Sequence, residues 1–232
     1  MTLHPGADLD AAPDDVVRAG DPAPPAPRAA AHAPQQGRGA VFAREAARKL
    51  LHIGGAIVAG TLAWVLPDAP RRVLFLAVAA FALGFDLARL AWPALGLHFQ
   101  RALRPMLRGN ELGRITGATT LAIGFLLAVM AFPRAAASAG ILYAGLADAA
   151  GALVGRAFGR HRFPGGRSLE GSLAFLATAF LIGWALPSLG PAAALAVALV
   201  LTSFEAIPLP FDDNLLIPLL GAGLTFLASR LA

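Results

Sequence analysis

The sequence predicts an all-α protein, a polytopic helical bundle that crosses a membrane about seven times and carries a disordered N-terminal tail. Three observations predict this fold class. Of the 232 residues, 57% are hydrophobic and only 14% are charged. The apolar residues form stretches of about 17 to 22, close to the roughly 20 that one helical crossing of a bilayer needs. These stretches lack the alternation of apolar and polar residues that a membrane β-barrel requires.

In this prediction residues 1–40 form the tail and residues 41–232 form the membrane domain. Residues 1–37 contain seven prolines and few large apolar side chains, so burial cannot offset the entropy lost on ordering. The segment also lacks the charged start and apolar centre of a secretory signal peptide. Cysteine is absent from the sequence, which excludes disulfides, a thiolate nucleophile and a cysteine-bound metal.

Seven apolar segments follow the tail, and each is predicted to be a membrane span. Pro67, Pro133 and Pro187 end three of them, because proline disfavours helical geometry in the residue before it. The first span could extend back through Val41–Lys49 as an amphipathic helix. The predicted spans are Leu50–Leu66, Arg72–Trp92, Ile115–Phe132, Ala136–Gly155, Gly171–Leu186, Leu189–Ile207 and Asn214–Leu231.

Charge predicts the orientation and points to a site. The N-terminal segment through Lys49 and two loops, Arg89–Arg114 and Arg156–Arg167, carry 15 of the 19 lysines and arginines, so their side of the bundle is predicted to be cytoplasmic. This asymmetry accounts for the net charge of +5 without a nucleic-acid partner. The alanine- and arginine-rich composition suggests a bacterial cytoplasmic membrane. Eight of the nine acidic residues outside the tail lie near the same face, all except Asp68. The positive-inside rule does not explain acids there, so we expect a polar site.

Asp148 is the most informative of these acids, since it lies within an otherwise uncharged helix. A carboxylate near mid-membrane costs about 2.5–3.5 kcal/mol on insertion scales. Asp148 should therefore face the bundle or a water-filled cleft. Gly151 and Gly155 share its helical face and would let a ligand or another backbone approach closely. A small-residue packing face explains the glycines equally well, but it does not explain Asp148.

Residues 161–172, HRFPGGRSLEGS, form a loop that opens the next helix. A glycine-rich turn and a helix N-terminus both present free N–H groups to phosphate oxygens. The alternative is structural, with Ser168 as the helix cap and Glu170 in the first turn. No GxxxxGK[ST] sequence is present, so a phosphate site here would not be a P-loop. Arg156, Arg160, Arg162 and Arg167 supply positive charge around the turn, and the other candidate phosphate-binding residues are Gly159, Ser168 and Gly171.

A second acidic segment lies between the last two spans. Two prolines break the helix there and bring Glu205, Asp212, Asp213 and Asn214 together without a basic neighbour. Carboxylate and amide oxygens suit Mg²⁺, which usually also binds substrate phosphates. The alternative is a solvated acidic turn that caps the last helix.

Two patterns lie earlier in the chain. Glu45, Arg48, Lys49 and His52 fall on one helical stripe, which could face a cytoplasmic cleft or form an intrahelical ion pair with a snorkelling lysine. Asp86–Arg89, spaced i and i+3, predicts a structural ion pair at the end of the second span.

Taken in order, these motifs resemble the CTP-dependent lipid kinases, the family of dolichol kinase, phytol kinase and the yeast-type diacylglycerol kinase. The resemblance covers roughly residues 41–231. Ala147 stands where family members usually have glycine, and Arg167 replaces a common lysine. The motifs are Glu45..Arg48-Lys49..His52, Asp86..Arg89, Glu111 with Thr116-Gly117-Ala118-Thr119, Asp148…Gly155-Arg156..Gly159-Arg160, Ser168-Leu169-Glu170-Gly171-Ser172 and Glu205…Asp213-Asn214.

The resemblance implies transfer of the CTP γ-phosphate to the hydroxyl of a membrane lipid, with Mg²⁺. It implies that Asp148, Glu170 and Asp213 are catalytic and that these three, with Glu205, bind the metal. Which carboxylate orients the hydroxyl stays open, as does the acceptor: polyprenol, a phytol-like alcohol or diacylglycerol. The residues expected to hold the nucleotide are Lys49, Arg156, Gly159, Arg160, Arg167, Ser168, Gly171 and Asn214.

Two other functions compete with this interpretation. Phosphatidate cytidylyltransferases share the Asp148-to-Ser172 pattern and also use CTP. Their final Pro-Gly-His-Gly-Gly and Asp-Arg signature is absent from the last two spans here. A transporter could use Asp148 as a proton relay, but the sequence shows no repeated halves and its charges gather at one rim.

Overall fold

A computed structural model describes residues 38–103, 113–163, 166–207 and 212–231, without the side chains of residues 38–45 and 103. Within these ranges the chain is helical apart from short turns and one isolated β-bridge, which confirms the predicted all-α membrane bundle. The predictions made for residues 1–37 of the tail, for Glu111 and for the Glu45 side chain lie outside the described residues, and residues 38–40 belong to the first helix instead of the tail. The helices are α1 (Arg38–Val65), α2 (Asp68–Ala91), α3 (Pro93–Leu103), α4 (Gly117–Ala131), α5 (Arg134–Leu142), a π-helical turn (Tyr143–Ala147), α6 (Asp148–Phe158), α7 (Leu169–Trp184), α8 (Pro191–Ala206) and α9 (Asp213–Leu231).

Each of the seven predicted spans coincides with a helix, and α1 extends back beyond Val41–Lys49 as expected. Three helices are long and apolar enough to cross a membrane: α2, the continuous helix Arg134–Phe158, and α9. The apolar helices α4, α7 and α8 have 10–17 residues. A helix of 16 residues is about 24 Å long, somewhat shorter than a hydrocarbon core of roughly 30 Å.

Helix α3 was not predicted, because it lies in a polar loop without a long apolar run. Its signal was Pro93, which occupies the first helical position, where proline is favoured. The ring of Phe99 in α3 packs 5.6 Å from the ring of Phe85.

The helix formed by α5, the π-helical turn and α6 is the centre of the bundle. Close approach by its neighbours depends on glycines: a Cβ at Gly145 would lie 1.9 Å from the Cβ of Ala56 in α1. A Cβ at Gly140 would lie 2.2 Å from the Pro218 carbonyl oxygen in α9. Between them Tyr143 is fully buried, and its hydroxyl lies 3.4 Å from Thr225 Oγ1. The chain directly before Asp148 is thus tightly held.

Helices α1 and α2 diverge although only Leu66 and Pro67 connect them. Helix α1 packs mainly on α5 and the π-helical turn, whereas α2 packs mainly on α4. At the joined end, Asp68 lies 3.1 Å from Arg71 and 3.3 Å from Arg134. Asp68, the one acid predicted on this side, therefore partly neutralises the opposite rim. A groove lined by both helices runs away from this end.

Candidate active site

Two ion pairs join elements that are far apart in the sequence. The first links Lys49 of α1 to the Asp148 carboxylate at the start of α6, 99 residues away. Lys49 is 6% exposed, so its ammonium group is directed inward. Asp148 lies where the π-helical turn returns to α-helix, a kind of irregularity that is frequent at functional sites. The stripe on α1 thus contributes Lys49 to a site inside the bundle.

The second ion pair is centred on Arg167, in the loop before α7. One guanidinium nitrogen donates to Glu205 Oε1, and the other donates to Asp213 Oδ2 at 2.6 Å. Burial lowers the pKa of the Arg167 guanidinium, but the charges of Glu205 and Asp213 outweigh this effect, so the pKa lies above its ordinary value. Arg167 therefore holds two carboxylates from different helices with a permanent positive charge. Ser172 donates to the other oxygen of Glu205 at 3.3 Å.

The loop from His161 to Leu169 is folded back on itself. Arg162 and Ser168 form an antiparallel bridge, and the Phe163 N–H donates to the Arg167 carbonyl at 2.8 Å. Gly166 has a φ of 85°, a left-handed conformation that glycine adopts without steric cost. The turn brings Arg162 and Arg167 to the wall of one cavity.

The glycines of α6 and α7 are packing residues. A Cβ at Gly155 would lie 2.9 Å from Ser168 Oγ, and one at Gly171 would lie 2.8 Å from the Gly151 carbonyl oxygen. A Cβ at Gly159 would lie 2.1 Å from the Gly155 carbonyl oxygen. Ser168 is 4% exposed and caps α7 by accepting from the Gly171 N–H at 3.1 Å. Ser168 therefore caps a helix and the glycines serve close packing, which are the structural roles that the sequence left open.

Glu170 lies apart from the other candidate carboxylates. His161 Nδ1 is 2.8 Å from Glu170 Oε1, and the His161 backbone N–H donates to the same carboxylate at 3.3 Å. The Glu170 side chain is 24% exposed and lines neither of the two cavities described next. The structure gives it a local role in fixing the loop.

A cavity of about 580 Å³ collects most of the predicted phosphate-binding residues. Its wall carries four cationic side chains, Lys49, Arg156, Arg162 and Arg167, and two carboxylates, Asp148 and Glu205. Gly159 and Arg160 do not line it. The other lining residues are Gly151, Ala152, Gly155, Gly166, Ser168, Gly171 and Ser172. We call this space the polar cavity.

A larger cavity of about 1160 Å³ occupies the groove between α1 and α2. Most of its lining is aliphatic or aromatic, and its polar residues lie at the wide end. Asp212, Asp213 and Asn214 line this end, so the predicted nucleotide ligand Asn214 borders the larger cavity instead of the polar one. Lys49 and Asp148 line both cavities. We call the larger space the apolar groove.

In the wall of the groove, Asp86 pairs with Arg89 as their spacing predicts, with Arg89 Nε 2.5 Å from Asp86 Oδ1. Asp86 Oδ2 accepts from the Thr116 N–H at 2.7 Å and from Thr119 Oγ1 at 2.7 Å. The Arg89 guanidinium lies 4.8 Å from the centre of the Phe99 ring. The Thr116-to-Thr119 motif, at the start of α4, thus holds the Asp86 side chain of α2 in place.

The four carboxylates predicted to bind metal do not form one cluster. Among the described residues, no group of three or more acidic or histidine side chains could hold a metal ion by itself. Glu205 and Asp213 are close together, because they share the guanidinium of Arg167. Mg²⁺ commonly binds through one or two carboxylates together with substrate phosphates. The arrangement fits an ion brought in with a nucleotide and does not fit a closed protein cage.

Two residues that contact the site were given no role from the sequence: Ser172 donates to Glu205, and His161 holds Glu170. Arg162, expected to supply charge around the glycine-rich turn, lines the polar cavity. His161 had a local signal, since it lies in the Arg- and Gly-rich loop. Ser172 had none, because its partner is 33 residues away.

A CTP-dependent diacylglycerol kinase 1 from Schizosaccharomyces pombe is 29% identical to this chain over an alignment of 167 residues, and the match covers 61% of this chain and 73% of the kinase. No family model matches the chain. No solved structure matches it. The distant similarity supports the resemblance to CTP-dependent lipid kinases, and with it a membrane-bound kinase activity at the level of the family.

Proposed function

We propose that this protein transfers the γ-phosphate of CTP to the hydroxyl of a membrane lipid alcohol, with diacylglycerol as the first acceptor to test. One observation carries the proposal: a cationic cavity that also holds carboxylates adjoins an apolar groove, and Lys49 and Asp148 line both. A kinase acting on a lipid needs both environments at one point. The similarity to the diacylglycerol kinase supports the choice of reaction.

The polar cavity is suited to the triphosphate. Phosphoryl transfer needs mainly positioning and neutralisation of charge, with little covalent chemistry from the protein. Lys49, Arg156, Arg162 and Arg167 place four positive charges around the cavity. Glu205 and Asp213 would hold Mg²⁺ together with phosphate oxygens, and the ion would supply further charge neutralisation. The ion pairs to Arg167 keep these two carboxylates in place before substrate binds, and the ion pair to Lys49 does the same for Asp148.

The excess of basic residues on this side supports a cytoplasmic site, where CTP is available. Labelling of engineered cysteines from either side of intact cells tests the orientation directly. The native chain has no cysteine, so each introduced thiol reports alone. A cysteine at position 160 should react from the cytoplasm, and one at position 188 should react from outside.

The activity is tested with purified protein in lipid nanodiscs, CTP labelled at the γ-phosphate, and a panel of diacylglycerol, polyprenol and phytol. We expect a labelled phospholipid and CDP, and we expect loss of both on chelation of Mg²⁺. Pyrophosphate and a CDP-lipid, formed from phosphatidate, would instead identify a cytidylyltransferase. Absence of transfer to every alcohol in the panel would refute the proposed function.

A further inference from the structure

The apolar groove has a closed end and an open end. Near the connection between α1 and α2, Arg71 Nη1 donates to the Ala63 carbonyl at 3.5 Å, which ties the two helices together. From there the lining of the groove runs along both helices to Lys49 on α1 and Asp86 on α2. On α1 the apolar part of the lining runs from Leu62 to Leu51, which is about 16 Å of helix. The groove therefore reaches about halfway through a bilayer core of roughly 30 Å.

Two glycines in the wall of the groove have no packing role. A Cβ at Gly54 or Gly55 would meet no atom within 4 Å, whereas a Cβ at Gly60, farther along α1, would lie 2.8 Å from Leu142. Glycine inside a helix is about 1 kcal/mol less favourable than alanine. The close approach of neighbouring helices explains Gly60 but does not explain Gly54 and Gly55. Their effect is to leave the groove wide next to its polar end.

The exposed apolar side chains of the groove fit a lipid tail. Val58 is 59% exposed on α1, and Val78 and Phe81 are 50% and 75% exposed on α2. All three lie in the part of the groove below the charged mouth. A hydrocarbon chain lying there would meet apolar walls along its length, while a group at its end would reach the carboxylates.

We propose that the acceptor lipid lies in this groove, with its apolar tail between α1 and α2 and its hydroxyl at Asp148. The proposal rests on the proposed kinase function and adds the site and orientation of the acceptor. Asp148 is the carboxylate that lines both spaces, whereas Glu205 lines the polar cavity and Asp213 lines the groove. The arrangement also selects acceptors whose hydroxyl and tail enter from the leaflet on the side of the site.

In this arrangement the hydroxyl oxygen forms the new bond to the γ-phosphorus of CTP, and its proton passes to the Asp148 carboxylate. The bond between the γ-phosphorus and the bridging oxygen breaks, and CDP leaves with that electron pair. The ion pair with Lys49 holds the Asp148 carboxylate at the boundary between the two cavities, where its oxygens can reach the acceptor hydroxyl.

The test compares Gly55→Leu with Gly84→Leu in nanodiscs. Gly84 in α2 is also outside the core, a Cβ added there would also meet no atom within 4 Å, and it lines neither cavity. Leucine favours helix, so neither change should unfold the chain. We expect Gly55→Leu to raise the KM for dioleoylglycerol about tenfold or more at unchanged KM for CTP, because leucine fills the groove. Gly84→Leu should match the wild type. Wild-type kinetics in Gly55→Leu would overturn the proposal while leaving the kinase function intact.

A second readout does not depend on turnover. A diacylglycerol with a photoreactive diazirine in one acyl chain is irradiated with each protein in nanodiscs, and the labelled peptides are identified by mass spectrometry. We expect labels on groove residues such as Val58 and Val78, competed by unlabelled diacylglycerol and weakened in Gly55→Leu but not in Gly84→Leu. Labels confined to other surfaces would refute the proposed acceptor site in the groove, even if the protein is an active kinase. Groove labelling in a protein that transfers no phosphate would refute only the proposed function.

Discussion

The pairs Asp86–Arg89 and Lys49–Asp148 lie on the same side of the bundle and differ in their surroundings. Asp86 lies in the wall of the apolar groove, but the Asp86 and Arg89 side chains are only 2% and 1% exposed, and Asp86 also accepts from two threonines. Asp148 is 24% exposed and faces two cavities, and Lys49 is its partner. A carboxylate whose oxygens are all occupied by the protein stabilises the fold. A carboxylate that is held in place but borders open space can act on a ligand.

The largest expected effect is a loss of activity when the Lys49–Asp148 pair is changed. Asp148→Asn removes the proton acceptor and leaves a side chain of the same shape. We expect transfer to fall about 10²–10⁴-fold, the usual contribution of a general base. Phosphate transfer from CTP to diacylglycerol measures the effect. Wild-type rates in this variant would assign Asp148 a structural role like that of Asp86.

The matched change in the Asp86–Arg89 pair should lower the stability of the fold. Asp86→Asn leaves Arg89 without its carboxylate in a buried position, which costs about 3 kcal/mol. For a chain of this size the Tm in detergent should fall by about 6–12 °C. Asp148→Asn should lower Tm less, since water in the cavities can solvate Lys49. Equal losses of Tm in the two variants would contradict the distinction drawn between the pairs.

Arg167 tests whether the polar cavity is organised by charge. Arg167→Met leaves Glu205 and Asp213 facing each other without a cation, and it removes one positive charge from the cavity. We expect kcat/KM for CTP to fall about 10–100-fold, as for loss of a charge-assisted hydrogen bond. Arg167→Lys keeps the charge but cannot hold both carboxylates at once, so it should lose less. An active Arg167→Met protein would show that the nucleotide binds elsewhere.

The sequence predicted the helices because long apolar runs are local signals, and it predicted Asp86–Arg89 because its spacing lies on one helix. It did not predict the pairing of Lys49 with Asp148, since no local spacing relates residues 99 positions apart. The groove also escaped prediction, because it depends on which neighbours α1 and α2 choose. Gly54-Gly55 was its one sequence signal. The separation of Glu170 from the other carboxylates likewise depends on how one loop folds.

Ser168 gives the smallest expected effect and separates the two roles that the sequence left open for it. Its hydroxyl caps α7 and lies against Gly155, and its residue also lines the polar cavity. Loss of an N-cap costs about 1 kcal/mol. We therefore expect Ser168→Ala to lower Tm by a few degrees, about 2–4 °C, and to leave the KM for CTP nearly unchanged. A KM for CTP raised tenfold at unchanged Tm would show instead that the hydroxyl contacts phosphate. The nucleotide-binding part of the polar cavity would then include the N-terminus of α7.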